Sequence, residues 1–262
     1  MDRMTIPNEA VKYILFQRTA YLRLANTLPC KLINKVLPFS IYNQIVELES
    51  RLFSSQIALM YEADMRSEYL SIKKILPETC SSILDIGCGV AGLDVFLSNH
   101  YSSYRPTLYL LDKTHVEKSV WYGIKNKGAF YNSLDISKQV LIQNYIPESH
   151  IHILEATDNN DINIDCKISL IVSLISWGFH YPVETYLEKV HNLLTEGGVL
   201  ILDIRKDTEG IDVISRVFGN VEIIFDRKRY QRVVVWKRNS NLALRGMHNR
   251  TNNNVAVSSS YF

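Results

Sequence analysis

Ile83-Leu84-Asp85-Ile86-Gly87-Cys88-Gly89-Val90-Ala91-Gly92 decides how this 262-residue chain folds. Its first half is an apolar run broken only by Asp85, the pattern of a short strand buried on both faces. Its second half supplies glycines where a strand must turn sharply into a helix and where a ligand must approach the backbone with no Cβ in the way. The N–H groups that open such a helix lack intrahelical partners and offer themselves to a polar or anionic ligand.

Working outward, apolar strands are expected over 82–86, 108–111, 150–154, 168–172 and 199–202, with helix-length segments 91–100, 115–128, 133–145 and 182–195 between them. Continuous apolar strands alternating with helices predict a parallel sheet covered on both faces. Two further strand-like runs, 221–225 and 231–236, are separated by 226–230, too short for a crossover helix, so they should form an antiparallel hairpin. Upstream, residues 8–75 read as helical, punctuated by Pro29 and Pro38, with the last helix, about 58–76, stopping at Pro77. The expected organisation is a helical N-terminal cap over 1–57, a doubly wound α/β domain over 58–238, and a flexible, basic Asn/Ser-rich tail over 239–262.

Composition narrows the class. At 47% hydrophobic and 21% charged, with a formal net charge of +2, most of the chain has the apolar content to fold. No run approaches the roughly 18–20 apolar residues a membrane span needs. Cys30, Cys80, Cys88 and Cys166 form no CxxC pair, no His is spaced for zinc, and the N-terminus has no secretory pattern, so a reducing cytoplasm is the expected setting. The small net charge hides a segregation: residues 1–46 carry six basic side chains against two acids, and residues 227–262 carry eight against none, leaving the centre acidic. Basic ends suit an anionic surface or a polymer partner, and equally a plain solvated face.

Two ligand classes compete for the glycine turn. Gly87, Gly89 and Gly92 satisfy the dinucleotide pattern G-x-G-x-x-G, with Asp112 placed to grip a ribose. Against it, Asp85 would repel a pyrophosphate and attract the ammonium of a methionine moiety. The late start of the sheet and the terminal hairpin also turn the reading toward S-adenosylmethionine.

The segment 83–89 resembles motif I of the class I S-adenosylmethionine-dependent methyltransferases, with Ala91 where many members have a third glycine. The resemblance, over about 58–237, implies a Rossmann-like sheet of seven strands with the last antiparallel. It implies that Asp85, Gly87 and Gly89 line the methionine and ribose of the cofactor and that Asp112 accepts hydrogen bonds from both ribose hydroxyls. Thr157 and Asp158 fall where the family bonds the adenine amino group, although a polar turn explains them as well. Arg66, on the expected helix over about 58–76, is a candidate for the methionine carboxylate, or an ordinary surface residue.

After the fourth strand comes Ser173-Leu174-Ile175-Ser176-Trp177-Gly178-Phe179-His180-Tyr181-Pro182, at the carboxyl end of the sheet where ligands meet. Trp177, Phe179 and Tyr181 are candidates for packing on an acceptor, and His180 is the candidate general base for deprotonating an alcohol, with His115 and Glu155 as fallbacks. No N-P-P-Y-type sequence follows the strand, and no cluster reads as a metal site, so no metal is expected. This loop, with Gly128-Ala129-Phe130-Tyr131-Asn132-Ser133-Leu134, is similar to sugar O-methyltransferases of bacterial surface-polysaccharide pathways, in particular the type that methylates an O-antigen perosamine at its 2-hydroxyl. That likeness implies a sugar or polysaccharide acceptor on a lipid carrier. The basic, aromatic-bearing residues 10–46 would then rest on an anionic inner-membrane surface. A nucleic-acid or small-molecule methyltransferase and a non-catalytic nucleotide-binding module are the alternatives.

Overall fold

In the structure, a computed structural model, residues 3–23, 39–116 and 131–238 are described. Strand β1 (Ser82–Ile86) is buried along its whole length and pairs in parallel with β2 (Thr107–Asp112) on one side and β6 (Ile168–Ser173) on the other. Two two-residue strands, β3 (His115–Val116) and β4 (Tyr131–Asn132), pair antiparallel with each other beside the main sheet. The main sheet is completed by β5 (Ile151–Glu155), β8 (Leu194–Arg205), β9 (Glu222–Asp226) and β10 (Tyr230–Trp236), in the order β5-β2-β1-β6-β8-β10-β9. β10 runs antiparallel to both β8 and β9, so the last strand is inserted between its two predecessors. This is the seven-stranded α/β sheet expected, with the terminal hairpin in place.

The strands read as continuous apolar runs because each face has its own cover. Ile83, Leu108, Leu110, Leu170, Val172, Val199, Ile201 and Val234 point to the face covered by α1 (Asn8–Gln17), α3 (Ser54–Ile72), α4 (Gly92–His100) and α5 (Leu134–Gln143). Leu84, Leu111, Ile171, Leu200, Leu202, Val233 and Val235 point to the opposite face, under α6 (Leu187–Leu193) and α7 (Gly210–Phe218). The alternation follows from the two-residue repeat of a strand. α2 (Phe39–Leu52) packs on α1 and α3. Among the described residues no helix is long and apolar enough to cross a membrane.

Several expected boundaries move. The 8–75 stretch breaks at Phe53 between α2 and α3, and α3 ends at Ile72 before one 3-10 turn, Lys73–Ile75. The expected helix over 115–128 opens instead as β3, and 117–130 lie outside the described residues, as does the expected tail over 239–262. The segment 182–195 is a 3-10 turn, Val183–Thr185, followed by α6. β8 is far longer than 199–202, and α7 was not anticipated.

Candidate functional site

The turn after β1 sits over the carboxyl end of the sheet. Gly87 has φ +79°, and a Cβ built on it would lie 1.8 Å from the Ser176 hydroxyl oxygen, so the position is closed to any side chain on two counts. Ala91, at the third-glycine position, adopts φ +58° and ψ +28° and immediately precedes α4. The left-handed conformation costs an alanine roughly 1–2 kcal/mol, which the buried packing of its methyl offsets in part.

A cavity of about 290 Å³ opens beside this turn. Its floor carries Asp85, Gly87, Cys88, Gly89 and Asp112, and Phe179, His180 and Tyr181 come from β7 (Ser176–Tyr181), an extended segment lying against β8. The sequence therefore named residues from three separate elements that the fold brings to one space.

Asp112, at the end of β2, is almost fully buried. Its Oδ2 accepts hydrogen bonds from the Gly89 N–H at 2.9 Å and the Asn132 amide at 3.0 Å, and its Oδ1 accepts from the Lys113 N–H at 2.7 Å. Burial pushes its carboxyl up to about 6, against the pull of those three donors. Asn132 also donates to the Gly89 carbonyl oxygen at 2.6 Å, and Ser137 donates to the same oxygen at 2.6 Å. The turn is thus held from β2, β4 and α5 at once. Asp85 is buried and its carboxyl is raised well above the usual range, chiefly by burial and then by the neighbouring Asp94.

Four expected ligand residues lie elsewhere. Thr157 and Asp158 are exposed and do not line the cavity; the Thr157 carbonyl accepts the Asn160 N–H at 3.0 Å, and Asp158 sits 4.0 Å from the Lys113 ammonium. They form the polar turn that their composition allowed. Arg66 pairs with Glu62 at 2.9 Å and lies over the Phe96 ring, away from the cavity. Trp177 is fully buried in the opposite core, donating its indole N–H to the Val183 carbonyl at 2.9 Å, so its ring packs the sheet and not the cavity. Of the fallback bases, Glu155 is exposed and accepts the Thr114 N–H at 2.8 Å, and nothing is described of the His115 side chain.

The cavity also has walls that sequence reasoning missed. Phe16, Gln17 and Arg18 enter from the end of α1, and Tyr61, Met65 and Glu68 from α3. The Arg18 guanidinium pairs with Asp64 at 3.3 Å and lies 5.8 Å from the Tyr61 ring centre. Asn132 sat inside a quoted motif but without a role. Among the described residues no cluster of His, Cys, Asp and Glu is placed to hold a metal ion.

No protein-family model matches the chain, and no curated protein matches it. Solved structures do share its fold. A protein from Nostoc punctiforme PCC 73102, described provisionally as an O-methyltransferase, is 12% identical with a TM-score of 0.50 over 87% of this chain and 72% of its own. A methyltransferase from Pyrococcus furiosus is 15% identical with a TM-score of 0.47, over 67% and 83% of the two chains. The N-methyltransferase NodS from Bradyrhizobium japonicum WM9, solved with S-adenosyl-L-homocysteine, is 14% identical with a TM-score of 0.44, over 70% and 88%.

Proposed function

We propose that this chain is an S-adenosylmethionine-dependent O-methyltransferase whose acceptor is a sugar hydroxyl of a bacterial surface polysaccharide of the O-antigen type. The observation that carries the reading is the single cavity lined both by Asp85, Gly87, Gly89 and Asp112 and by His180. The fit to the cofactor rests on charge. Asp85 and Asp112 are buried carboxylates on the cavity floor, where a pyrophosphate would be repelled and an ammonium and ribose hydroxyls are attracted.

When bound, S-adenosylmethionine supplies a methyl group activated by a sulfonium. Asp85 holds the ammonium, and Asp112, already oriented by Gly89, Asn132 and Lys113, accepts from the ribose hydroxyls. Phe179 and Tyr181 offer ring faces to the acceptor and keep water from the reacting atoms. His180 would take the proton of the acceptor hydroxyl. Residues 1–57 act as the cap that closes the domain over 58–238, through Phe16, Gln17 and Arg18. The setting is cytoplasmic, at the inner membrane face where a lipid-linked polymer is elongated, with the basic N-terminal segment toward the anionic lipid.

We infer that Arg18, rather than Arg66, binds the methionine carboxylate, because Arg18 lines the cavity. Charge-assisted hydrogen bonds are worth about 1.5–3 kcal/mol. Arg18→Gln should therefore weaken S-adenosylhomocysteine binding by about 10-fold, whereas Arg66→Gln should leave it unchanged. Equal effects in a calorimetric titration would remove Arg18 from the site.

The acceptor is tested in the host. Mass spectrometry of surface polysaccharide from a strain lacking the gene should show a sugar lighter by one methylene. The intact gene should restore the methyl group, and a His180→Ala copy should restore less than about 1% of it. An unchanged polysaccharide overturns the sugar acceptor, and full restoration by His180→Ala removes the base.

A further inference from the structure

Asp94, in the first turn of α4, is fully buried, and neither of its carboxylate oxygens accepts a well-formed hydrogen bond. Its side chain instead meets that of Asp85. Two ionised carboxylates in contact inside a protein repel strongly, but one proton between them turns the contact into a hydrogen bond. The other groups facing the pair supply no countercharge in contact with it. They are Asp112 on β2, Cys88 in the turn, Tyr61 on α3 and Tyr181 on β7. The nearby guanidinium, Arg18, is engaged by Asp64 and lies against Tyr61. Burial accordingly pushes the Asp94 carboxyl up to about 7, its contacts with Asp85 and with its own amide restraining it, and raises Asp85 as well.

We propose that Asp85 and Asp94 hold one proton between them in the free protein and that a ligand's ammonium reaching Asp85 expels this proton to solvent. The inference rests on the reading of the cavity as an S-adenosylmethionine site. In the free protein the Asp85 O–H donates to the Asp94 carboxylate. On binding, the O–H bond at Asp85 breaks, the proton passes to the buffer, and Asp85 meets the ammonium as a carboxylate.

Calorimetry of the full chain with S-adenosylhomocysteine, in phosphate and in Tris near pH 8, reads that proton directly. The wild-type protein should release close to one proton on binding. Asp94→Asn, whose amide donates permanently to Asp85, should bind within about 3-fold of the wild type and release none, while Asp85→Asn should lose about 30-fold in affinity. A second arm needs no ligand. Both carboxyls have folded-state values raised above the unfolded one, so they cost stability progressively as pH rises above the ordinary carboxylate range, Asp94 up to about 7. Asp94→Asn should thus melt about 5 °C higher than wild type near pH 8, with a smaller gain near pH 5. Proton release that persists in Asp94→Asn, or a melting shift equal at the two pH values, overturns the shared proton. Absence of any S-adenosylhomocysteine binding by the wild type would instead defeat the cofactor reading, and the melting comparison would still decide the carboxyl pair.

Discussion

Arg232→Met is expected to lower the melting temperature by about 10 °C, corresponding to roughly 3–5 kcal/mol. Arg232 lies on β10 with no exposed surface. Its guanidinium makes two parallel bonds to Asp203 on β8, at 2.7 and 2.8 Å, and reaches Glu68 on α3 at 2.7 Å and the Ser71 hydroxyl. Methionine fills similar space but leaves Asp203 and Glu68 without their cation, and an uncompensated buried charge is what makes such losses large. Asp203 also accepts the Ile175 N–H at 3.0 Å, and Ile175 has φ +52°, a conformation that a β-branched residue adopts only when held. Glu68 and Ile175 both line the cavity, so one buried guanidinium ties two of its walls to the sheet. The pH dependence has a definite sign. Burial already raises the Asp203 carboxyl and Arg232 pulls it down; without the arginine its folded-state value rises further above the unfolded one, so the variant should lose more stability near pH 8 than near pH 5. Equal melting of variant and wild type would show that the network contributes nothing net.

Gly87→Ala should cut S-adenosylhomocysteine affinity by at least about 100-fold while leaving the far-ultraviolet circular dichroism unchanged. The new methyl would lie 1.8 Å from the Ser176 Oγ and 2.5 Å from its Cβ, so no rotamer of that short side chain clears it. The residue would also have to hold φ +79°, outside the favourable range for alanine. Relief comes only by moving the turn, and with it the Gly87 N–H bond to the Leu111 carbonyl and the Gly89 N–H bond to Asp112. Binding within a few-fold of wild type would place the ligand elsewhere.

The sheet was legible because its strands are buried on both faces, which writes Ile83–Ile86 and 168–172 as apolar text broken only by Asp85 and Ser169, and because 226–230 is too short to cross over. The turn was legible because Gly87 tolerates nothing else. α7 was not, although Ile214 and Phe218, four residues apart, are in its buried face; the nine-residue helix follows a hydrophilic stretch and its pattern covers barely two turns. Arg18 and Arg66 are indistinguishable in sequence, each a cation on a helical stretch, and only the packing of α1 against α3 decides which one faces the cavity. Asp94 reads as an ordinary acid in a helix's first turn until burial and Asp85 are seen together. Trp177 misled for the opposite reason: it follows the strand end among plausible ligands, yet glycine at 178 with φ +82° lets the chain turn its ring into the core.

The central claim is that the cavity beside the glycine turn binds S-adenosylmethionine. The most direct measurement is a calorimetric titration of the 262-residue chain with S-adenosylhomocysteine, alongside NAD under the same conditions. The account predicts saturable one-to-one binding of S-adenosylhomocysteine at sub-millimolar concentration and none of NAD. Binding of NAD with no response to S-adenosylhomocysteine would contradict it.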